Sequence, residues 1–200
     1  MIIKAAYGFY YKGVTKVTYN HYSGNPNGLG KVIMFQLNDL SLDVIKNRFE
    51  DIKMIKDYTR LVYDETILNE LAIYQDKNSP LPANCWYSLL LKAQGSIKPY
   101  FDDFHPLNYM MDFNNFLYHS EHCEYAYIIN LDTEMFEIHK GNNKNFKAVG
   151  RYVTLDTPEF LNGSYAGVRL LSEIPLDYLF KSNKEQLMNF IKNIEMIEEF

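Results

Sequence analysis

The sequence predicts an α+β fold in a single layered domain, with strands towards both ends of the chain, helices between them and a final helix. Three observations predict it. β-Branched and aromatic runs occur near the N-terminus and again after residue 124, and apolar residues recur at helical spacing in the middle and at the C-terminus. No internal repeat or linker divides them. The chain is long enough to bury a core, at 200 residues and 47% apolar content, and its 7 Pro and 10 Gly are too few for a disordered or collagenous class.

The elements follow in order. Residues 3–11 and 14–22 are β-branched and aromatic segments joined at Lys12-Gly13, which reads as a hairpin. The breakers of Ser23-Gly-Asn-Pro-Asn-Gly-Leu-Gly30 then lead into the apolar KVIMFQL, a loop and helix entry. Ser41 is a candidate N-cap, and Leu42, Ile45, Phe49, Ile52 and Ile55 repeat at helical spacing to about Asp57. Residues 64–76 and 83–94 continue in helical style, the second ending at Gly95. The aromatic, Asn/Asp-rich stretch 99–123 reads as mixed loop and helix. Segments 124–131 and 134–141 flank Asp132-Thr133 as a hairpin whose two apolar faces place it centrally in a sheet. Residues 150–156 and 167–174 are read as two further strands separated by a turn around Pro158 and Asn162-Gly163. Ser182-Asn-Lys-Glu185 fits a capping box opening a final helix, with Leu187, Phe190, Ile191, Ile194 and Ile197 on its buried stripe.

Charge narrows the function classes. A net charge of −5 argues against general nucleic-acid binding through a broad basic face. Lys4, Lys12, Lys16 and Lys31 nevertheless precede the first acid, Asp39, and leave room for a local cationic pocket. Two cysteines, Cys85 and Cys123, are too few for a disulfide framework, so the expected setting is reducing. No apolar run reaches the roughly 18 residues of a membrane span, and the N-terminus lacks the order of a signal peptide. A cytoplasmic protein without membrane association is expected.

The most specific local feature is the run from Tyr19 to Lys31. A strand delivers Tyr19, Asn20, His21 and Ser23 to its end; Asn25, Asn27, Gly28 and Gly30 then form a turn before Lys31. Two readings fit it. As a ligand site it offers Asn20, His21 and Ser23 as side-chain contacts, backbone donors from Gly28 and Gly30, positive charge from Lys31, and hairpin tyrosines to stack on a ring. As a long turn, its Gly and Asn residues meet backbone demands. It is neither a P-loop nor a dinucleotide fingerprint. The tyrosine content, 17 against 1 Trp, fits A+T-rich coding, but five of the 17 (Tyr7, Tyr10, Tyr11, Tyr19 and Tyr22) fall in the first 22 residues, next to this turn.

Other constellations are weaker. His105, His119, Glu121, His122 and Cys123 lie close in sequence but match no metal-ligand spacing, so neither a metal nor a cofactor is expected. Cys85, inside an apolar helix, reads as an inert thiol. Cys123 beside His122, or His21 with a cysteine, are the nucleophile–base options.

The segment YGF..KG..KVTYNHYSGNPNGLG resembles an uncharacterised family of small proteins from low-G+C bacteria and their phages, with a YNHxxSxPxGLG-like turn; YAYIINLDTEMFEIHKG is similar to its second strand pair. Together these cover about a quarter of the chain. The resemblance implies a phage or mobile-element origin, hence a host cytoplasm, and a layered αββα arrangement similar to that of N-terminal-nucleophile hydrolases. Ile2 follows Met1, where those enzymes need Cys, Ser or Thr. The leading expectation is a domain that binds a small polar, anionic molecule at the turn. A host signalling nucleotide would make it a defence antagonist. The rivals are a hydrolase using His21 with a Cys or metal, and an inhibitor that binds a host protein.

Overall fold

The computed structural model describes residues 2–144, 148–153 and 165–198 of the chain. Strands β1 (Ala5–Tyr11) and β2 (Val14–Asn20) form the predicted hairpin. Its two-residue turn has Lys12 at φ 50° and Gly13 at φ 76°, the paired left-handed conformation that matches strand twist. Asp132, from the second hairpin, holds this turn by accepting the Lys12 N–H at 2.9 Å and the Gly13 N–H at 3.4 Å.

That second hairpin joins β5 (Tyr125–Asn130) to β6 (Met135–Lys140), and β7 (Arg169–Pro175) completes a five-stranded sheet of order β2-β1-β5-β6-β7. β5 is central, parallel to β1 and antiparallel to β6, and all six of its residues are buried. Strand period puts Tyr125, Tyr127 and Ile129 with Tyr7, Phe9, Phe136 and Ile138 in one core, and Ala126 and Ile128 with Ala6, Val17, Leu117, Tyr152 and Val168 in the other. The first core is roofed by helices. α1 (Lys31–Leu37) fully buries Ile33, Met34 and Leu37. At about 1.5–3 kcal/mol per side chain, that burial holds a seven-residue helix too short to persist alone.

α2 (Leu42–Asp51) ends earlier than its spacing predicts. Ile52 turns extended, and Lys53–Ile55 forms β3, paired in parallel with β4 (Tyr109–Met111). The reason is long-range: Lys16 of β2 donates its Nζ protons to the carbonyls of Phe49 in α2 (2.6 Å) and of Ile52 just after it (2.7 Å), closing the helix. α3 (Glu65–Leu71) is capped by the Asp64 carboxylate, and α4 (Trp86–Leu90) runs into a short 3₁₀ turn before Gly95. The stretch 99–123 contributes β4 and 3₁₀ turns over Lys98–Phe101 and Asn114–Leu117. Asn114 covers the free edge of β2, accepting from the Val17 N–H (3.1 Å) and donating to the Thr15 carbonyl (2.9 Å).

α5 (Leu176–Lys181) and α6 (Lys184–Glu198) close the chain. The capping box is present one residue later than expected: Asn183 and Gln186 bond reciprocally at 2.9 and 3.0 Å, while the Ser182 hydroxyl donates to Tyr178 O. The side chain of Ile197 in the predicted stripe, and the turn at Pro158 and Asn162-Gly163, lie outside what is described. Of the strand expected over 150–156, residues 150–153 form a turn, closed by Val153 N donating to Gly150 O at 3.2 Å, and the rest lie outside the described residues. The described residues hold one five-stranded sheet and the β3–β4 ladder, whereas an αββα sandwich needs two large stacked sheets. Among them, no helix is long and apolar enough to cross a membrane.

Candidate functional site

The Ser23–Gly30 turn is anchored to both strands of the sheet's parallel pair. Gly24 N donates to Ile3 O just ahead of β1 (2.9 Å), and the Tyr127 hydroxyl of β5 donates to Gly24 O (2.8 Å). Its glycines answer to packing. A Cβ on Gly28 would stand 2.1 Å from Ser23 O, and one on Gly30 would stand 2.7 Å from the Tyr127 ring. The chain then winds through a wide turn at Pro26–Gly30 into α1.

This geometry revises one expectation. The N–H groups of Gly28 and Gly30 both donate to Asn25 O (3.0 and 3.4 Å), and Leu29 N donates to Ser23 O (2.8 Å). The backbone donors assigned to Gly28 and Gly30 are therefore engaged within the turn, where a short tight loop must satisfy its own polar groups. Recognition at this place falls to side chains.

Those side chains divide. Asn20, Ser23, Asn27, Gly28 and Lys31 line one cavity of about 210 Å³, together with Tyr22, Leu29, Val32 and Gly95. Tyr19, His21, Asn25 and Gly30 do not line it. The Tyr19 hydroxyl bonds His21 Nδ1, and its ring packs on Phe113 and Phe116. Burial pushes that hydroxyl up to about 12, so it stays protonated. Strand alternation explains the split: Tyr19 and Asn20 project from opposite faces of β2. The four early lysines do not converge either. Lys12 pairs with Glu50 at 2.8 Å and Lys16 closes α2, leaving Lys31 as the cation at the cavity. Its ammonium donates to Asn27 Oδ1 at 2.9 Å, and no ion pair among the described residues includes it.

Larger hollows lie elsewhere. One of about 320 Å³ is lined by Asp39, Asp102 and Asp103 with a single Lys98, and one of about 380 Å³ is an apolar groove between Ile174, Tyr178 and Phe190. The first is acidic, and the Asp102 carboxylate there already accepts from Phe104 N and His105 N. Neither gathers the chemistry of the turn.

The nucleophile–base options lose their geometry. Both cysteines are fully buried; burial pushes the Cys123 thiol far up, and its Sγ donates to Tyr125 O at 3.1 Å. His122 pairs with Glu121 at the surface, and no cluster of three or more His, Cys, Asp or Glu that could hold a metal occurs among the described residues.

One cluster was missed in the sequence. Glu137 of β6 lies on the second face of the sheet with all four acceptor positions filled. Oε1 accepts from Asn130 Nδ2 (2.6 Å) and Arg151 (2.9 Å), and Oε2 from His139 Nε2 (3.0 Å) and Arg151 (3.1 Å). Burial works to raise this carboxyl, but the bonds from His139, Asn130 and Arg151 outweigh it and hold it at about 2. Burial pushes the His139 imidazole down against the pull of the neighbouring Glu137 carboxylate, which its Nε2 faces at 3.0 Å. The Arg151 guanidinium also lies over the Tyr10 ring at 3.8 Å. A saturated carboxylate has no lone pair left for a substrate; the cluster ties residues 148–153 to the sheet. Its sequence signal was parity, since Asn130, Glu137 and His139 share a strand face with Ala126 and Ile128. Compared with family models, curated proteins and solved structures, the chain matches none.

Proposed function

We propose that this protein is a binding module for a small polar molecule carrying one anionic group, taken at the cavity between the end of β2 and the start of α1. The observation that carries this reading is the convergence of Asn20, Ser23, Asn27 and Lys31 on one hollow, with a lysine that lacks a carboxylate partner among the described residues. Lys31 neutralises the anionic group, the amides of Asn20 and Asn27 orient the polar remainder, and Leu29 and Val32 supply apolar contact.

Thermal shift tests it, with inorganic phosphate, sulfate and small carboxylates set against neutral sugars, on the wild-type chain and on Lys31→Gln. An anion at 100 times its Kd stabilises by about 2.7 kcal/mol, a shift of roughly 5–10 °C for a chain of this size. Lys31→Gln should lose most of that shift. No shift with any anion, or an equal shift in the variant, would overturn the proposal.

A further inference from the structure

We infer that the molecule taken at this cavity is a nucleoside monophosphate, its base stacked on Tyr22 and hydrogen-bonded to Asn20, its phosphate paired with Lys31. The inference rests on the binding reading above and narrows its ligand to one chemical class.

Three observations carry it. First, Tyr22 lines the cavity yet keeps 65% of its surface exposed, and its ring meets the His21 ring edge to face with centroids 4.4 Å apart at 87°. A large aromatic that borders a cavity and leaves most of its surface open offers a base a stacking face. Second, Asn20 is 92% buried and lines the same cavity; its Nδ2 donates to Tyr22 O, while no group among the described residues donates to its Oδ1. That oxygen borders the cavity without being sealed from solvent, and it is open to a donor from the ligand, which the amino and imino N–H groups of a base edge supply. Third, the cavity's one cation is Lys31.

Size and charge set the number of nucleotides. About 210 Å³ lies below the roughly 300–1,000 Å³ of sites that enclose a drug-sized ligand, so the hollow takes one ring system and leaves the rest of the ligand at its mouth. One lysine on a chain of net charge −5 pairs with one phosphate group and does not track a polynucleotide backbone.

The test is a ¹⁵N-resolved NMR titration of the full chain with AMP, GMP, CMP and UMP, with the corresponding nucleosides, and with inorganic phosphate, repeated on Tyr22→Ala and Lys31→Gln. Tyr22 is exposed, so its truncation leaves the fold intact, which the dispersion of the spectrum verifies. The expected result is saturable shifts at Asn20, Tyr22 and Lys31 with at least one mononucleotide, weakened roughly 5- to 150-fold by Tyr22→Ala, the range that base–aromatic stacking supplies. Phosphate binding, by contrast, should be indifferent to Tyr22→Ala and sensitive to Lys31→Gln. Should phosphate bind as tightly as every mononucleotide, with Tyr22→Ala neutral for all of them, the nucleotide inference is overturned and the anion-binding reading stands. Should neither phosphate nor any mononucleotide perturb these residues, both fall.

Discussion

Replacing Glu137 by Gln tests the polar cluster on the second face of the sheet. Gln keeps the shape but removes the charge, and its amide NH₂ must face a donor, because Asn130, His139 and both Arg151 nitrogens all point hydrogens at that site. Arg151 would be left only partly exposed, at 28%, without its counter-ion. Breaking a buried pair in this way costs about 3–5 kcal/mol. The same contacts seen through the carboxyl give a figure of the same order: it sits at about 2 against an ordinary 4.5, a gap on the order of 3 kcal/mol of folding free energy. The sign follows from the direction. A depressed carboxyl stabilises the fold above its unfolded value, and that contribution is lost as pH falls from about 4.5 towards 2. Urea unfolding at pH 7 should therefore show Glu137→Gln less stable by about 3–5 kcal/mol, or roughly 6–20 °C in Tm, and the gap should narrow below pH 4.5. Arg151→Met, alone and combined with Glu137→Gln, should give strongly non-additive costs. A cost under about 1 kcal/mol at pH 7, or a gap that does not narrow in acid, refutes the assignment of this carboxylate as the hub.

Three further outcomes follow from contacts already described. Gly28→Ala should cost about 1–3 kcal/mol through overpacking against Ser23 O, whereas Gly13→Ala, with nothing within 4 Å of its Cβ, should cost about 1–2 kcal/mol through its positive φ alone; denaturant midpoints separate the two. Lys16→Met should destabilise by about 1–2 kcal/mol, because the last carbonyls of α2 lose their cap, and equilibrium unfolding reads that directly. Both thiols should be inert to a maleimide reagent in the native state and react stoichiometrically in urea; rapid native labelling of Cys123 would contradict its burial.

Both hairpins were legible in the sequence because strand period and turn chemistry are local: Lys12-Gly13 and Asp132-Thr133 sit between alternating runs. The end of α2 was not, because two distant partners decide it. The Lys16 ammonium comes from β2, and β4 draws Lys53–Ile55 into a ladder, so a helical repeat through Ile52 and Ile55 carried no warning. The site was half legible. Its breakers and Lys31 marked the place, yet period two should have separated Tyr19 from Asn20, and Tyr22 was grouped with hairpin tyrosines that mostly pack inwards. Tyr7 is fully buried and Tyr11 meets Phe49 edge to face. Arg151 was unreadable as a partner of Glu137, since it reaches the sheet from a turn where the sequence pattern indicated a strand.

The turn also resolves how its two sequence readings relate. Gly28 and Gly30 are required because Ser23 O and the Tyr127 ring occupy the space a Cβ would need, and that requirement holds with or without a ligand. The same close packing turns the loop's own N–H groups inwards, so it cannot act as a backbone nest for an anion. What it does instead is fix the positions of Asn20, Asn27 and Lys31 against a rigid backbone anchored to β5 through Tyr127. Because the charge is then one ammonium and not an array of amides, binding should weaken with added salt only as a single ion pair does. A steeper dependence would place the anion on a different set of groups.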